Sequence, residues 1–330
     1  MFKNKTVLIT GGTGSWGNEL VSQLLACGPK EIRILSRGEF KQVMMERRFR
    51  NKKIKFIIGD VRDRDALDYS CRGADYVFHL AALKHVPVCE EQPQEAIKTN
   101  IIGTTNLINA AIANKVKKVI DVSTDKAVDP LNLYGMTKAV AEKLVIQANK
   151  ISDSTRFVCI RGGNVLGTNG SVVPYFIDQI THGNRLHVTD FRMTRFFLTL
   201  HEAIGLLFKA SEEGMGGETF VMHMPACRIS DLAKVLAEHY GDKTTKIVET
   251  GSRPGEKIDE VLVSRYEAPN TYKYDEHYYL ILPTLEIPDL NEHYNNLKLK
   301  KVTFPEYNSA LEIMDKAQIR SMLERGGFLK

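Results

Sequence analysis

A chain of 330 residues, 43% hydrophobic and 26% charged, has the composition of a globular protein with room for one large domain or two modest ones. Its formal net charge of +5 is mild, and the lysines and arginines are dispersed rather than massed, so nothing demands a nucleic-acid surface, while single anionic ligands suit it. The cysteines at 27, 71, 89, 159 and 227 show no CxxC spacing, and no stretch reads as a signal peptide or a membrane span, which predicts reduced structural thiols, no metal site and a cytoplasmic location.

In chain order, residues 5–10 are β-rich, residues 18–27 carry apolar side chains at helical spacing, Gly28-Pro29 stops that helix, and residues 31–36 form a second strand. That is a βαβ unit. The alternation continues with a strand at 55–59, a short helix at 65–70, a strand at 76–80, a long helix at 93–114 and a strand at 118–123. Helices interleaved with short apolar strands predict an α/β fold, a Rossmann-type doubly wound parallel sheet whose ligands sit beyond the carboxyl ends of the strands. After about residue 165 the pattern loosens; residues 185–225 and 244–260 mix short segments with loops, as a smaller C-terminal lobe over the strand ends would. The tail from Tyr266, rich in Tyr, Asn, Pro and charge, reads as an irregular wrap.

In "VLITGGTGSWGNEL", Gly11, Gly14 and Gly17 follow a strand and open a helix, so the backbone can turn tightly, approach a pyrophosphate and offer unpaired N–H groups to it. This predicts a dinucleotide domain over 1–165, joined by some later segments, and a substrate lobe over 166–330. At the end of the second strand the usual acid for a ribose 2′-hydroxyl is missing; Ser36-Arg37 stands there, with Lys41 one turn on, which favours the 2′-phosphate of NADP. Asp60-Val61 either holds the adenine edge, or Asp60 caps the helix that follows.

The stretch "STDKAVDPLNLYGMTK" is the most specific. Tyr134 and Lys138 lie four apart, which on a helix puts both on one face, so that the ammonium pulls down the phenol pKa and holds the nicotinamide ribose. With Thr124 or Ser123 at the preceding strand end, this is the hydride-transfer set of short-chain dehydrogenases.

At these residues the chain resembles the extended short-chain dehydrogenases, and among them the soluble inverting UDP-N-acetylglucosamine 4,6-dehydratases of pseudaminic acid and related bacterial pathways. The resemblance rests on "TGGTGSWG", "GDVRD", "AALKHVP", "KTNIIGT", "STDKA", "YGMTK", "GSVVP", "TDFRMTRF" and "RPGEK". It implies tightly bound, recycled NADP, a UDP-sugar substrate and a homo-oligomer, from dimer to hexamer. It assigns to the cofactor Gly11, Thr13, Gly14, Ser15, Trp16, Gly17, Ser36, Arg37, Lys41, Asp60, Val61, Ala81, Ala82, Lys84, Asn100, Ser123, Tyr134 and Lys138. To the substrate it assigns Lys84, His85, Asn164, Val173, Arg195, Arg253 and Glu256. His85 also reads as a simply hydrogen-bonded loop histidine, and Arg253 and Glu256 as a surface pair.

Chemistry gives Asp125 and Lys126 their places. Loss of water across carbons 5 and 6 of a hexose is hard until carbon 4 is a ketone, so oxidation with Tyr134 as base comes first. Lys126 then removes the carbon 5 proton, Asp125 protonates the departing 6-hydroxyl, and hydride returns to carbon 6. An ion pair between the two works against both roles, and desolvation under a bound substrate is what would relieve it. The plain alternative is a strand-end Asp capping the next turn beside a solvated Lys.

Two departures fall on the substrate side: Gly162 where relatives carry Tyr, and Asn169 where they carry Arg. They keep open a sibling reductase or 5-epimerase acting on a keto or unsaturated UDP-sugar. A non-catalytic NADP(H)- or nucleotide-sugar-binding regulator is a further alternative, opposed by the joint presence of Tyr134, Lys138, Asp125 and Lys126.

Overall fold

Val7, Leu8 and Ile9 are fully buried, so the first strand is apolar on both faces, as a central strand of a parallel sheet must be. The computed structural model describes residues 1–168 and 170–329, so Asn169 lies outside the described residues. In the first half of the chain, β1 (Thr6–Thr10), α1 (Ser15–Ala26), β2 (Glu31–Ser36), α2 (Glu39–Phe49), β3 (Ile54–Ile58), α3 (Arg64–Cys71) and β4 (Tyr76–His79) alternate. They are followed by α4 (Val86–Glu91), α5 (Pro93–Ile97), α6 (Gly103–Ala113), β5 (Lys118–Thr124), α7 (Leu133–Ile151) and β6 (Arg156–Gly162). The strands are parallel in the order β3-β2-β1-β4-β5-β6, which reverses direction between β1 and β4. That reversal makes a crevice at their carboxyl ends.

Some elements differ from the sequence expectation. α2 buries only Gln42 and Met45, so its charged sequence carries little apolar periodicity to read. The helix expected over 93–114 is broken by a π-helical turn at Lys98–Ile102, which turns Thr99 and Asn100 inward. Helix Leu200–Glu213 was signalled by its capping box, Thr199 and Glu202, but the surrounding loops hid it. It packs on α1.

Later segments return to the large sheet. Strand Thr219–Met222 is parallel to β6, and Tyr278–Ile281 and Thr271–Lys273 add antiparallel to it in turn. The tail is therefore not an irregular wrap; its tyrosines 272, 274, 278 and 279 pack on the main core, Tyr272, Tyr278 and Tyr279 from short strands. A second core gathers helices Val172–Gly183, Ile229–Tyr240 and Lys316–Arg325 around Phe176, Leu186, Leu232, Leu236 and Ile319. Among the described residues no helix is long and apolar enough to cross a membrane.

Candidate active site

The glycine loop joins β1 to α1. Gly11 has φ +67°, and a Cβ there would lie 2.8 Å from Ala81 Cα, so the turns after β1 and β4 touch through bare backbone. Gly17 sits against Gly12, where a Cβ would be 2.0 Å from the Gly12 carbonyl oxygen. Gly14 is the N-cap of α1, with no side-chain cap and no acid in the first turn, so the amide end of the helix stays open to an anion between Thr13 and Ser15. These features fit a dinucleotide pyrophosphate.

At the far end of the crevice, Ser36 ends β2 and accepts a hydrogen bond from Gln42, which also holds the carbonyls of Ser36 and Ile57. Arg37 and Lys41 are exposed. Asp60 does not cap α3: Asp63 does, accepting from the Asp65 and Ala66 amides. Instead Asp60 forms a fork with Arg62 at 2.6 Å, with Arg37 at 3.9 Å. Burial works against the carboxylate, but the bonds to Arg62 and the charge of Arg37 leave its pKa below the ordinary value. Val61 points into the core against Gly103, and its carbonyl is taken by Asn106.

Asn100 faces inward from the π turn. Its amide accepts from the Leu83 N–H at 2.8 Å and donates to the Leu83 carbonyl and to Thr137 on α7, so it braces the Ala81-Ala82-Leu83 loop to the helix. Lys84 and His85 follow on that loop. Desolvation lowers the Lys84 ammonium pKa. The His85 ring packs on Gly170, where φ is +75° and a Cβ would be 2.6 Å from the ring, so this loop meets the start of the second lobe.

Thr124 ends β5 and caps the 3₁₀ turn Asp125–Ala127; the cap is Thr124, not Asp125. α7 begins soon after, capped by Asn132, whose side-chain Oδ1 accepts from the Gly135 N–H while its side-chain Nδ2 donates to the Gly255 carbonyl. Tyr134 and Lys138 thereby stand at the first turns of α7, beside the end of β5. Lys138 is paired with Asp121. Burial opposes its charge, but Asp121 and then Tyr134 outweigh burial and raise the ammonium pKa. For Tyr134 burial dominates: the phenol pKa lies above its ordinary value, although Lys138, Lys126 and Thr124 all pull it down. The expected pull of Lys138 exists, but the net direction is up.

Asp125 is 1% exposed; its Oδ1 accepts from the Thr124 hydroxyl at 2.8 Å and from the Lys126 ammonium at 3.0 Å. A residue that the sequence did not disclose completes the group. Glu260 Oε1 lies 3.4 Å from Lys126 Nζ and 3.6 Å from Arg195 Nε. Burial disfavours the Lys126 charge, yet Asp125 and Glu260 together raise its pKa well above that of a free lysine. Buried polar atoms without a protein partner, Ser123 Oγ, Asp125 Oδ2 and Glu260 Oε2, belong to this neighbourhood.

The residues expected at the substrate divide. Arg195 spends its fork on the carbonyls of Thr194, Lys257 and Ile258 and its Nε on Glu260, so it shapes the site from within. Val173 is fully buried in the second core. Arg253 is exposed, and Glu256 accepts from its amide, closing the RPGE turn that Asn132 ties to α7. Asn164 starts a two-residue strand paired with Thr194–Leu198. A Cβ on Gly162 would lie 3.7 Å from the Trp16 ring, so this position faces the first turn of α1. Arg161 is locked in a buried fork to Glu142 and Glu267.

A doubly wound sheet with a glycine crevice after β1, and Tyr134 and Lys138 on the helix after β5, defines an extended short-chain dehydrogenase/reductase. The chain belongs to the polysaccharide biosynthesis protein family, whose model matches residues 7–282. It is 44% identical over 293 residues to the inverting UDP-N-acetylglucosamine 4,6-dehydratase of Campylobacter jejuni serotype O:23/36, covering 88% of this chain and 86% of that one. It is 50% identical over 270 residues to the UDP-glucose 4-epimerase of Rickettsia akari, covering 80% and 79%. The X-ray structure of Pen from Bacillus thuringiensis superposes over the whole of both chains with a TM-score of 0.92 at 38% identity.

Proposed function

We propose that this chain is an inverting UDP-N-acetylglucosamine 4,6-dehydratase, a carbon–oxygen lyase that releases a UDP-4-keto-6-deoxy-N-acetylhexosamine. The observation that carries the reading is the charged group Asp125–Lys126–Glu260 set beside Tyr134 and Lys138. Hydride transfer at carbon 4 needs only Tyr134 and Lys138, whereas elimination also needs an acid and a base. When bound, the nicotinamide supplies the hydride acceptor at carbon 4 and the donor at carbon 6.

The chain's own groups move the protons. Tyr134 takes the proton of the 4-hydroxyl, with Lys138 holding the charge. At rest Lys126 carries a proton. Passing one proton from Lys126 to Asp125 across their 3.0 Å contact leaves a neutral amine to accept the carbon 5 proton and a neutral acid to protonate the departing 6-hydroxyl. Elimination then returns both groups to their resting state, and once carbon 6 has regained hydride, carbon 5 takes a proton that has exchanged with solvent. Arg37 and Lys41 hold a 2′-phosphate, so NADP is the cofactor; residues 1–165, with the later sheet segments, bind it, and residues 166–330 supply the lobe for the UDP-sugar, with Arg253 of the RPGE turn toward the diphosphate. The enzyme works in the cytoplasm as a homo-oligomer; exposed Ile97 and Ile102 near α6, with Met136 and Val140 one turn apart on α7, support an apolar contact between copies.

A second reading, 4-epimerisation, is favoured by the name of the Rickettsia akari relative. Incubation of UDP-N-acetylglucosamine with the holoenzyme in deuterated water, followed by NMR, separates them. The dehydratase yields a 4-keto-6-deoxy sugar deuterated at carbon 5 with no net cofactor consumed. An epimerase yields the 4-epimer without carbon 5 label, a reductase requires added dinucleotide, and a regulator leaves the sugar intact.

A further inference from the structure

Glu260 stands far along the chain from the residues it meets. It directly precedes strand Val261–Val263, which packs on the 3₁₀ turn Asp125–Ala127. Its backbone is clamped on both sides: the Glu260 N–H donates to Ser309 Oγ at 2.9 Å, and the Ser309 N–H donates to the Glu260 carbonyl at 2.9 Å. Ser309 is itself fully buried and donates to the Thr194 carbonyl. Nearby, the Lys257 ammonium donates to the Val128 carbonyl just past the 3₁₀ turn. The tail and the second lobe thus deliver one carboxylate to one lysine.

The cost of that delivery is high. The Glu260 side chain is 4% exposed, one of its oxygens has no protein partner, and a carboxylate buried in this way is retained only if its charge meets other charge. Its fixed neighbours are Lys126 and Arg195. If it served only to anchor Arg195, a contact with Lys126 would be superfluous, since Arg195 already binds three backbone carbonyls.

We propose that Glu260 is a positioning residue: steered by Arg195, its carboxylate holds the Lys126 ammonium beside Asp125 and keeps that ammonium charged at rest. The inference rests on the dehydratase reading for its chemical meaning, but not for its measurement. Lys126 is faced by Asp125 on its own turn, Tyr134 from α7, Arg195 from strand Thr194–Leu198, and Lys257 and Glu260 from the segment before Val261–Val263. Two carboxylates on one ammonium favour its charge. Arg195 and Lys257 temper them.

The test reads Lys126 directly on the full-length protein without substrate, by NMR of lysine labelled at Cε, with Lys126→Arg identifying the resonance. In the parent protein Lys126 stays charged through the accessible alkaline range. In Glu260→Gln, which keeps the shape and removes the charge, its titration comes down into that accessible range, and Glu260→Asp restores part of the shift. In Asp125→Asn, Glu260 alone keeps Lys126 charged at neutral pH. A Lys126 titration unmoved in Glu260→Gln, or an already neutral Lys126 in Asp125→Asn at neutral pH, overturns the proposal. Deuterium incorporation at carbon 5 adds the catalytic readout: its rate, which needs neutral Lys126, rises at lower pH in Glu260→Gln than in the parent. Should the titration shift while no sugar is ever dehydrated, the dehydratase reading falls and the role of Glu260 stands.

Discussion

Lys138 Nζ lies 3.2 Å from Asp121 Oδ2, with the two side chains 4% and 0% exposed, so the helix that carries Tyr134 and Lys138 is pinned to β5 by a buried ion pair. Removing one partner leaves an uncompensated charge in the core. Asp121→Asn is expected to destabilise the fold by about 3–5 kcal/mol. Denaturant unfolding checks this, and Asp121→Asn combined with Lys138→Met should cost less than the sum of the two single changes.

Tyr134 must lose its proton to act, and burial holds its phenol pKa up while Lys138 pulls it down. The first-step rate should therefore rise with pH, and Lys138→Met should move that rise to higher pH. Tyr134→Phe should slow the step by about 10²–10⁴-fold. Single-turnover nicotinamide absorbance, followed across pH, reads both.

His79 sits between Thr10 Oγ1 at 2.7 Å and Thr104 Oγ1 at 3.1 Å, and burial depresses its imidazole pKa to about 4. Its folded pKa lies below the unfolded value, so the folded state resists protonation. Stability from this residue is intact above about pH 6.5 and declines as pH falls toward 4, by about 3 kcal/mol in all. His79→Gln should flatten that part of the stability curve measured by thermal melts at successive pH values.

Gly17→Ala places a methyl 2.0 Å from the Gly12 carbonyl oxygen, which no rotamer relieves. A loss of about 1–3 kcal/mol in stability is expected, together with weaker dinucleotide binding by titration calorimetry. Gly28→Ala is the control: unlike Gly17 it has a positive φ, +68°, and only the Lys3 side chain comes within 4.0 Å, so its effect on binding should be small.

Arg37→Ala with Lys41→Ala should raise the Kd for NADP by about tenfold or more, as expected for lost charge-assisted bonds. The Kd for NAD should stay near its parent value. Equal weakening of the two would place the 2′-phosphate elsewhere.

Local spacing carried much of this site. β1 through β5, the glycine turn and the Tyr134–Lys138 pair are encoded in short windows, where a period of two or four residues and a glycine at a forced backbone angle can be read directly. The same windows could not show that Asn100 would turn inward, because its orientation depends on a π turn and on the Leu83 loop it clasps. Nor could they separate Asp60 from Asp63 as the cap of α3, since both precede the helix within one turn.

The sequence by itself determined the βαβ order, the glycine turn after β1 and the presence of a carboxyl, an amine and a phenol in one short stretch, because these follow from neighbours along the chain. Only the tertiary structure decided which charges face one another. Glu260 reaches Lys126 from more than a hundred residues away, and Asp121 is an ordinary strand residue until α7 lays Lys138 upon it. Burial amplifies such contacts, and no linear pattern records burial of charge against charge.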